Sequence, residues 1–184
     1  MSKAAPSRPR GDKRKRTFCI VASRFNAQYV DGLVDHATEE LRALAPDATI
    51  SLFRVPGSFE IPVVVREFAS HDKADAIIAC GVILQGETNH AQNLSRSVTD
   101  ALQRIAVEHG VPVINVVLSF DTEDQARERC LDKKINRGTE AARVAVEIAS
   151  VLSDFRNKQG AAVSLPRRSG SGAEEEGKPP RDHG

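Results

Sequence analysis

The residue types best suited to anion binding and proton transfer gather in one short stretch, Gln85-Gly86-Glu87-Thr88-Asn89-His90. A Gly followed by Glu-Thr at the start of a long apolar-periodic segment presents free backbone N–H groups, which bind anions. The same residues also make a plain glycine turn with Thr88 as a helix cap. His90 falls in the first turn of that helix. Histidine is the side chain whose ordinary titration lies nearest neutrality, so proton transfer suits it, and a surface His beside a cap is the alternative.

Three further segments carry groups of chemical interest. Arg24-Phe25-Asn26 places an aromatic in a polar loop of a chain with only 4% aromatics. Phe25 can stack on a flat heterocycle or plug the end of a sheet. In Pro56-Gly57-Ser58-Phe59-Glu60, the Glu60 carboxylate can accept substrate hydroxyls or complement a helix dipole. Arg127, Arg129, Lys133, Lys134 and Arg137 form a basic cluster that suits a phosphate-bearing substrate. Interleaved Glu123, Asp124, Glu128 and Asp132 make it equally a solvated charged helix. No GxGxxG or GxxxxGK[ST] motif is present, so dinucleotide and triphosphate loops have no support. The 3 Cys and 5 His are scattered without ligand spacing, which argues against a metal centre.

These segments need a frame that brings them together. Thr17–Ala22 reads as a strand buried on both faces, and Val30 to Leu44 as a helix ending before Pro46. Thr49–Val55 reads as a second strand, followed by a helix capped by Ser58 and running to Ala69. Ala76–Cys80 is a third strand followed by Gly81, and Leu94 to Ile105 marks a helix stopped by Gly110. Pro112–Leu118 is a fourth strand; Asp121–Cys130 and Ala141–Leu152 are the last helices. Alternation of this kind predicts a four-stranded parallel sheet with helices on both faces. Ligands then sit beyond the carboxyl ends of the strands, where all four segments fall.

The net charge of +1 hides an uneven distribution. Residues 1–16 carry seven basic groups against one acid, a net of +6, and residues 156–184 carry six against four, a net of +2. The stretch 17–155 is left with 13 basic and 20 acidic groups, a net of −7. The expected organisation is a disordered basic head over 1–16, one domain over 17–157, and a disordered tail over 158–184. A cationic head motivates weak, sequence-independent nucleic-acid affinity, with a plain solubilising segment as the alternative. An odd number of widely spaced cysteines, read as reduced thiols, and the absence of a membrane-length apolar run fit a cytoplasmic protein.

The segments Arg24-Phe25-Asn26, Val55-Pro56-Gly57-Ser58-Phe59-Glu60-Ile61-Pro62, Gly86-Glu87-Thr88-Asn89-His90 and Asp124-Gln125-Ala126-Arg127-Glu128-Arg129 together resemble the lumazine synthase family, in its order and spacing over 17–155. The resemblance implies a flavodoxin-like three-layer α/β/α sandwich. It implies a transferase of riboflavin biosynthesis that makes 6,7-dimethyl-8-ribityllumazine from 5-amino-6-(D-ribitylamino)uracil and 3,4-dihydroxy-2-butanone 4-phosphate, without cofactor or metal. His90 matches the proton-transfer residue and Phe25 the ring that stacks on the pyrimidine. Ser58, Phe59 and Glu60 match the segment holding the ribityl chain, and Ile83 and Leu84 the strand end at the pyrimidine edge. Gly86, Glu87 and Thr88 match the phosphate turn, which Arg129 completes from a neighbouring subunit. Asn115 and Lys133 complete the expected substrate-binding set.

The sequence departs from the commoner family pattern at Ala91-Gln92 beside His90, at Gln85, and at Asn115, where many members place an aromatic. Family members are pentamers or sixty-subunit icosahedral shells, some with a riboflavin synthase partner. The short stretch from Arg129 to Gly138 leans towards the shell. A flavin-type ligand binder or shell-forming scaffold with little synthase activity is the alternative expectation.

Overall fold

The computed structural model of the chain describes residues 6–71, 74–86 and 89–162. Four strands form one parallel sheet: β1 (Thr17–Ser23), β2 (Thr49–Val55), β3 (Ala76–Leu84) and β4 (Val113–Phe120). They lie in the order β2-β1-β3-β4, the start of the doubly wound flavodoxin-like arrangement. Among the described residues five α-helices flank it: α1 (Ala27–Leu44), α2 (Ile61–Ser70), α3 (His90–His109), α4 (Glu123–Cys130) and α5 (Arg137–Ala162).

Period-two alternation along the strands divides the core into two layers. Phe18, Ile20 and Ala22 of β1 join Ile78, Cys80 and Val82 of β3 under α1 and α5, against Leu33, Ala37, Ala142 and Ala145. Cys19 and Val21 join Ile77, Ala79 and Ile83 under α2 and α3, against Ile61, Val65, Val98 and Leu102. The central strands are apolar from Phe18 to Ala22 and from Ala76 to Leu84 because both faces are covered. The edge strand β2 leaves Leu52 and Phe53 part-exposed.

Element boundaries follow the sequence except where tertiary contacts intervene. α3 ends at Gly110, whose φ of 63° is the left-handed terminus glycine favours. β3 does not stop at Gly81 but runs through it to Leu84, because a bare Cα there lets neighbouring elements close in. Ser58 does not cap a helix: it opens a 3-10 turn, Ser58–Glu60, that leads into α2, and its side chain is buried.

The head differs most from expectation. Over residues 6–16 the chain is laid across α1 and α5 rather than left disordered. Asp12 accepts from Arg14 Nε at 2.9 Å, Arg16 Nε at 3.1 Å and Ser150 Oγ at 3.1 Å. Its backbone N–H donates to Leu44 O at 2.8 Å. Arg16 also reaches Asp75 at 3.1 Å, Arg14 reaches Asp154 at 2.9 Å, and Glu40 is clamped by Arg8 and Arg143 at 3.0 and 2.9 Å. Composition marks such a segment as disordered because the acids that hold it lie far along the chain. Residues 1–5 and 163–184 lie outside the described residues, while the helical backbone of α5 continues past 158 to Ala162.

Candidate functional site

A cleft of about 610 Å³ opens at the carboxyl end of the sheet. It is lined by Phe25 and Asn26 after β1, by Gly57 to Glu60 after β2, by Val82 to Leu84 at the end of β3, and by His90, Ala91 and Leu94 of α3.

Backbone bonds fix the walls. Arg24 N–H donates to Val55 O at 2.8 Å and Phe25 N–H to Pro56 O at 3.2 Å, which joins the loops after β1 and β2. Phe25 and Phe59 stay 70% and 66% exposed; two aromatic rings held open to solvent beside a cleft are surface for a planar ligand. Glu60 Oε2 accepts from Gly57 N–H at 2.9 Å, which orients the carboxylate and closes the turn. Ile83 is buried and Leu84 half-buried, and Gln85 N–H extends the β3–β4 ladder to Phe120 O at 2.8 Å. His90 opens α3 at the cleft edge, exposed, with no hydrogen-bond partner among the described residues. Among the described residues no three His, Cys, Asp or Glu side chains group as metal ligands, and no helix is long and apolar enough to cross a membrane.

Residues 15–153 match the 6,7-dimethyl-8-ribityllumazine synthase family. A 6,7-dimethyl-8-ribityllumazine synthase from Halorhodospira halophila is 40% identical over 136 residues, covering 73% of this chain and 87% of the relative. One of the same name from Nitrosospira multiformis is 39% identical over 133 residues, covering 72% and 81%. The chain belongs to this family. Lumazine synthase is a transferase activity of riboflavin biosynthesis, and membership assigns that activity here.

Seven of the residues expected in a lumazine synthase site line the cleft together: Phe25, Ser58, Phe59, Glu60, Ile83, Leu84 and His90. Gly86 is exposed, and a Cβ there would meet nothing within 4 Å; Glu87 and Thr88 lie outside the described residues. Three expected residues lie away from the cleft of this chain. Asn115 sits on β4, donating to Thr99 Oγ1 at 3.1 Å and accepting from Val117 N–H at 2.9 Å. It borders a separate groove between β4 and α5. Arg129 lies on α4 with Nε 3.9 Å from Glu128, and its Nη1 is buried without a partner among the described residues. Lys133 is exposed in the α4–α5 connection.

Ala91 answers part of the departure beside His90. Its side chain is buried in the core under α2 and α3, so the position that follows His90 supplies packing and no orienting group. Asn26, the last residue of the Arg24-Phe25-Asn26 segment but given no role of its own in the sequence, also lines the cleft and adopts φ 56°. An Asn directly after a strand-end loop is a signal for left-handed backbone, and that signal was available.

Proposed function

We propose that the chain condenses 5-amino-6-(D-ribitylamino)uracil with 3,4-dihydroxy-2-butanone 4-phosphate at this cleft, releasing phosphate and two waters. The observation that carries this reading is the convergence of Phe25, Ser58 to Glu60, Ile83 to Leu84 and His90 on one cleft.

The roles follow from chemistry. Phe25 stacks on the pyrimidine while Ile83 and Leu84 meet its edge. Ser58, Phe59 and Glu60 hold the ribityl chain, and the one Glu60 oxygen not bonded to Gly57 takes its hydroxyls. The free amine of the pyrimidine attacks the ketone, and loss of water gives an imine. Phosphate then leaves, and the ribityl-bearing nitrogen closes the ring with loss of the second water. His90 moves protons in these steps, a contribution of about 10²–10⁴-fold. Holding both reactants in one cleft supplies much of the remainder. Gly86, Glu87 and Thr88 receive the phosphate, with Arg129 and Lys133 of a neighbouring subunit completing the pocket and Asn115 of that subunit facing the pyrimidine.

The working unit is thus a homo-oligomer, a pentamer or a sixty-subunit shell of pentamers, in the cytoplasm; a shell could enclose a riboflavin synthase. Polyanion recruitment by the head finds little support. Arg8, Arg14 and Arg16 are already paired with the chain's own carboxylates.

Purified protein given both substrates should form the lumazine chromophore, and His90→Ala should slow turnover about 10²-fold or more. Chromophore formation no faster than the uncatalysed reaction would refute the reading. Native mass separates a pentamer from the shell, and a monomer with full activity would rule out the shared site.

A further inference from the structure

Asn26 departs twice from what a residue at the start of a helix ordinarily does. Its backbone is left-handed, with φ 56° and ψ 41°, a conformation unfavourable for an L-residue that Asn tolerates better than most. Asn is also favoured at this position because its side-chain oxygen accepts from the first free N–H groups of the helix. Here the side chain makes no such bond. Its Nδ2 instead donates to Val82 O at 2.9 Å, across the end of the sheet. The Asn26 carbonyl still accepts from Tyr29 and Val30 N–H at 3.0 and 3.2 Å, so α1 starts normally.

Strand register explains why Val82 accepts it. The β1–β3 ladder ends at Ala22–Cys80, whereas β3 continues beside β4 to Leu84. Val82 O lies beyond the last rung from β1, on a residue only 1% exposed. A buried carbonyl there needs a donor, and the Asn26 amide takes the place of the missing rung. Phe25, the residue before Asn26, is tied on its other side to the β2 loop through Pro56 O. Ile83, the residue after Val82, lines the same cleft as Phe25.

We propose that Asn26 is a positioning residue for the flat-ring half of the site. By tying the start of α1 to Val82, it sets the spacing between the Phe25 ring and the Ile83–Leu84 edge, and with it the fit of a planar heterocycle. The identity of that heterocycle rests on the synthase reading; the tie itself does not. A strained backbone held by a specific cross-sheet bond beside a cleft is the arrangement expected where geometry serves binding.

Two variants separate the bond from the backbone. Asn26→Gly keeps the left-handed conformation without strain and removes the amide. Asn26→Asp keeps the size but sets a carboxylate against Val82 O. Steady-state kinetics, riboflavin affinity by flavin fluorescence (riboflavin serving as a ribityl-bearing planar probe) and melting temperature are measured for each. Both variants should raise KM for the pyrimidine substrate and Kd for riboflavin about tenfold, Asn26→Asp at least as much as Asn26→Gly. Turnover number and KM for the butanone phosphate should stay within about twofold of wild type. Unchanged pyrimidine KM and riboflavin Kd in Asn26→Gly overturn the proposal. A lowered melting temperature with unchanged KM overturns it too, being the signature of a purely structural tie. A wild type that binds riboflavin but makes no lumazine, with binding weakened tenfold in both variants, upholds the tie and refutes the synthase reading. A wild type that does neither refutes both.

Discussion

Gly81 and Ser58 occupy adjoining space: a Cβ on Gly81 would lie 2.7 Å from Ser58 Oγ and 3.3 Å from Ile61 Cδ1. The middle of β3 is therefore bare so that the turn carrying Ser58, Phe59 and Glu60 can press against the sheet. Gly81→Ala should cost about 1–3 kcal/mol through overpacking and displace the ribityl-binding turn, raising KM for the pyrimidine substrate. Ser58→Gly in the same chain should restore part of the stability, since the two changes share one contact. Additive losses in denaturant titrations would show that the contact is not the cause.

Phe25 and Phe59 should divide binding from stability. Each ring is about two-thirds exposed, so Phe25→Ala should change unfolding free energy by no more than about 0.5 kcal/mol. Lost stacking should nonetheless raise KM for the pyrimidine substrate about tenfold, the kinetic equivalent of about 1.4 kcal/mol. A large fall in melting temperature with unchanged KM would make Phe25 a structural plug.

The head should confer acid sensitivity. Burial alone would raise the Asp12 carboxyl, but hydrogen bonds from Arg14, Arg16 and Ser150 outweigh it and hold the group far below the usual carboxylate range. Glu40 is likewise lowered, its burial outweighed by Arg143 and Arg8. A carboxyl depressed in the folded state binds fewer protons there than in the unfolded chain. Its stabilisation is present at neutral pH and is lost as pH falls below about 4. Asp12→Asn should cost about 1–3 kcal/mol at pH 7, because buried Arg16 then keeps only Asp75 as a carboxylate partner. The variant's melting temperature should also fall less steeply than wild type below pH 4. Parallel melting profiles for the two proteins would contradict this account.

The three cysteines should be silent in the native state. Burial pushes Cys19, Cys80 and Cys130 each up to about 12, so at pH 8 almost no thiolate is present and no reagent reaches it. A maleimide should label none of the three in the folded protein and all three in denaturant. Rapid labelling of any one before unfolding would place that thiol nearer the surface than it is here.

Much of the frame was legible in the chain. β2 runs from Thr49 to Val55 as its alternation and the Pro56-Gly57 stop require, and α3 stops at Gly110 as a left-handed glycine dictates. Local signals failed where a distant contact decides. The third strand reads as Ala76–Cys80 with Gly81 after it, yet the strand runs on to Leu84 and Gly81 sits inside it, where Ser58 and Ile61 fill the space a side chain would take. Residues 6–16 read as disordered because Glu40, Asp75, Ser150 and Asp154 are remote in sequence and adjacent only after α1 and α5 pack.

The sequence by itself determined the alternation of strands and helices, the end of the sheet that carries the cleft, and the residue types gathered there, because hydrophobic period and turn chemistry are local. Tertiary structure decided how those residues face one another. It set Ser58 against Gly81, drew the basic head onto Glu40, Asp75, Ser150 and Asp154, and joined Asn26 to Val82 where the β1 ladder runs out. Each depends on which strand ends first beside its neighbour and which helices pack over it, and the chain acquires those relations only on folding.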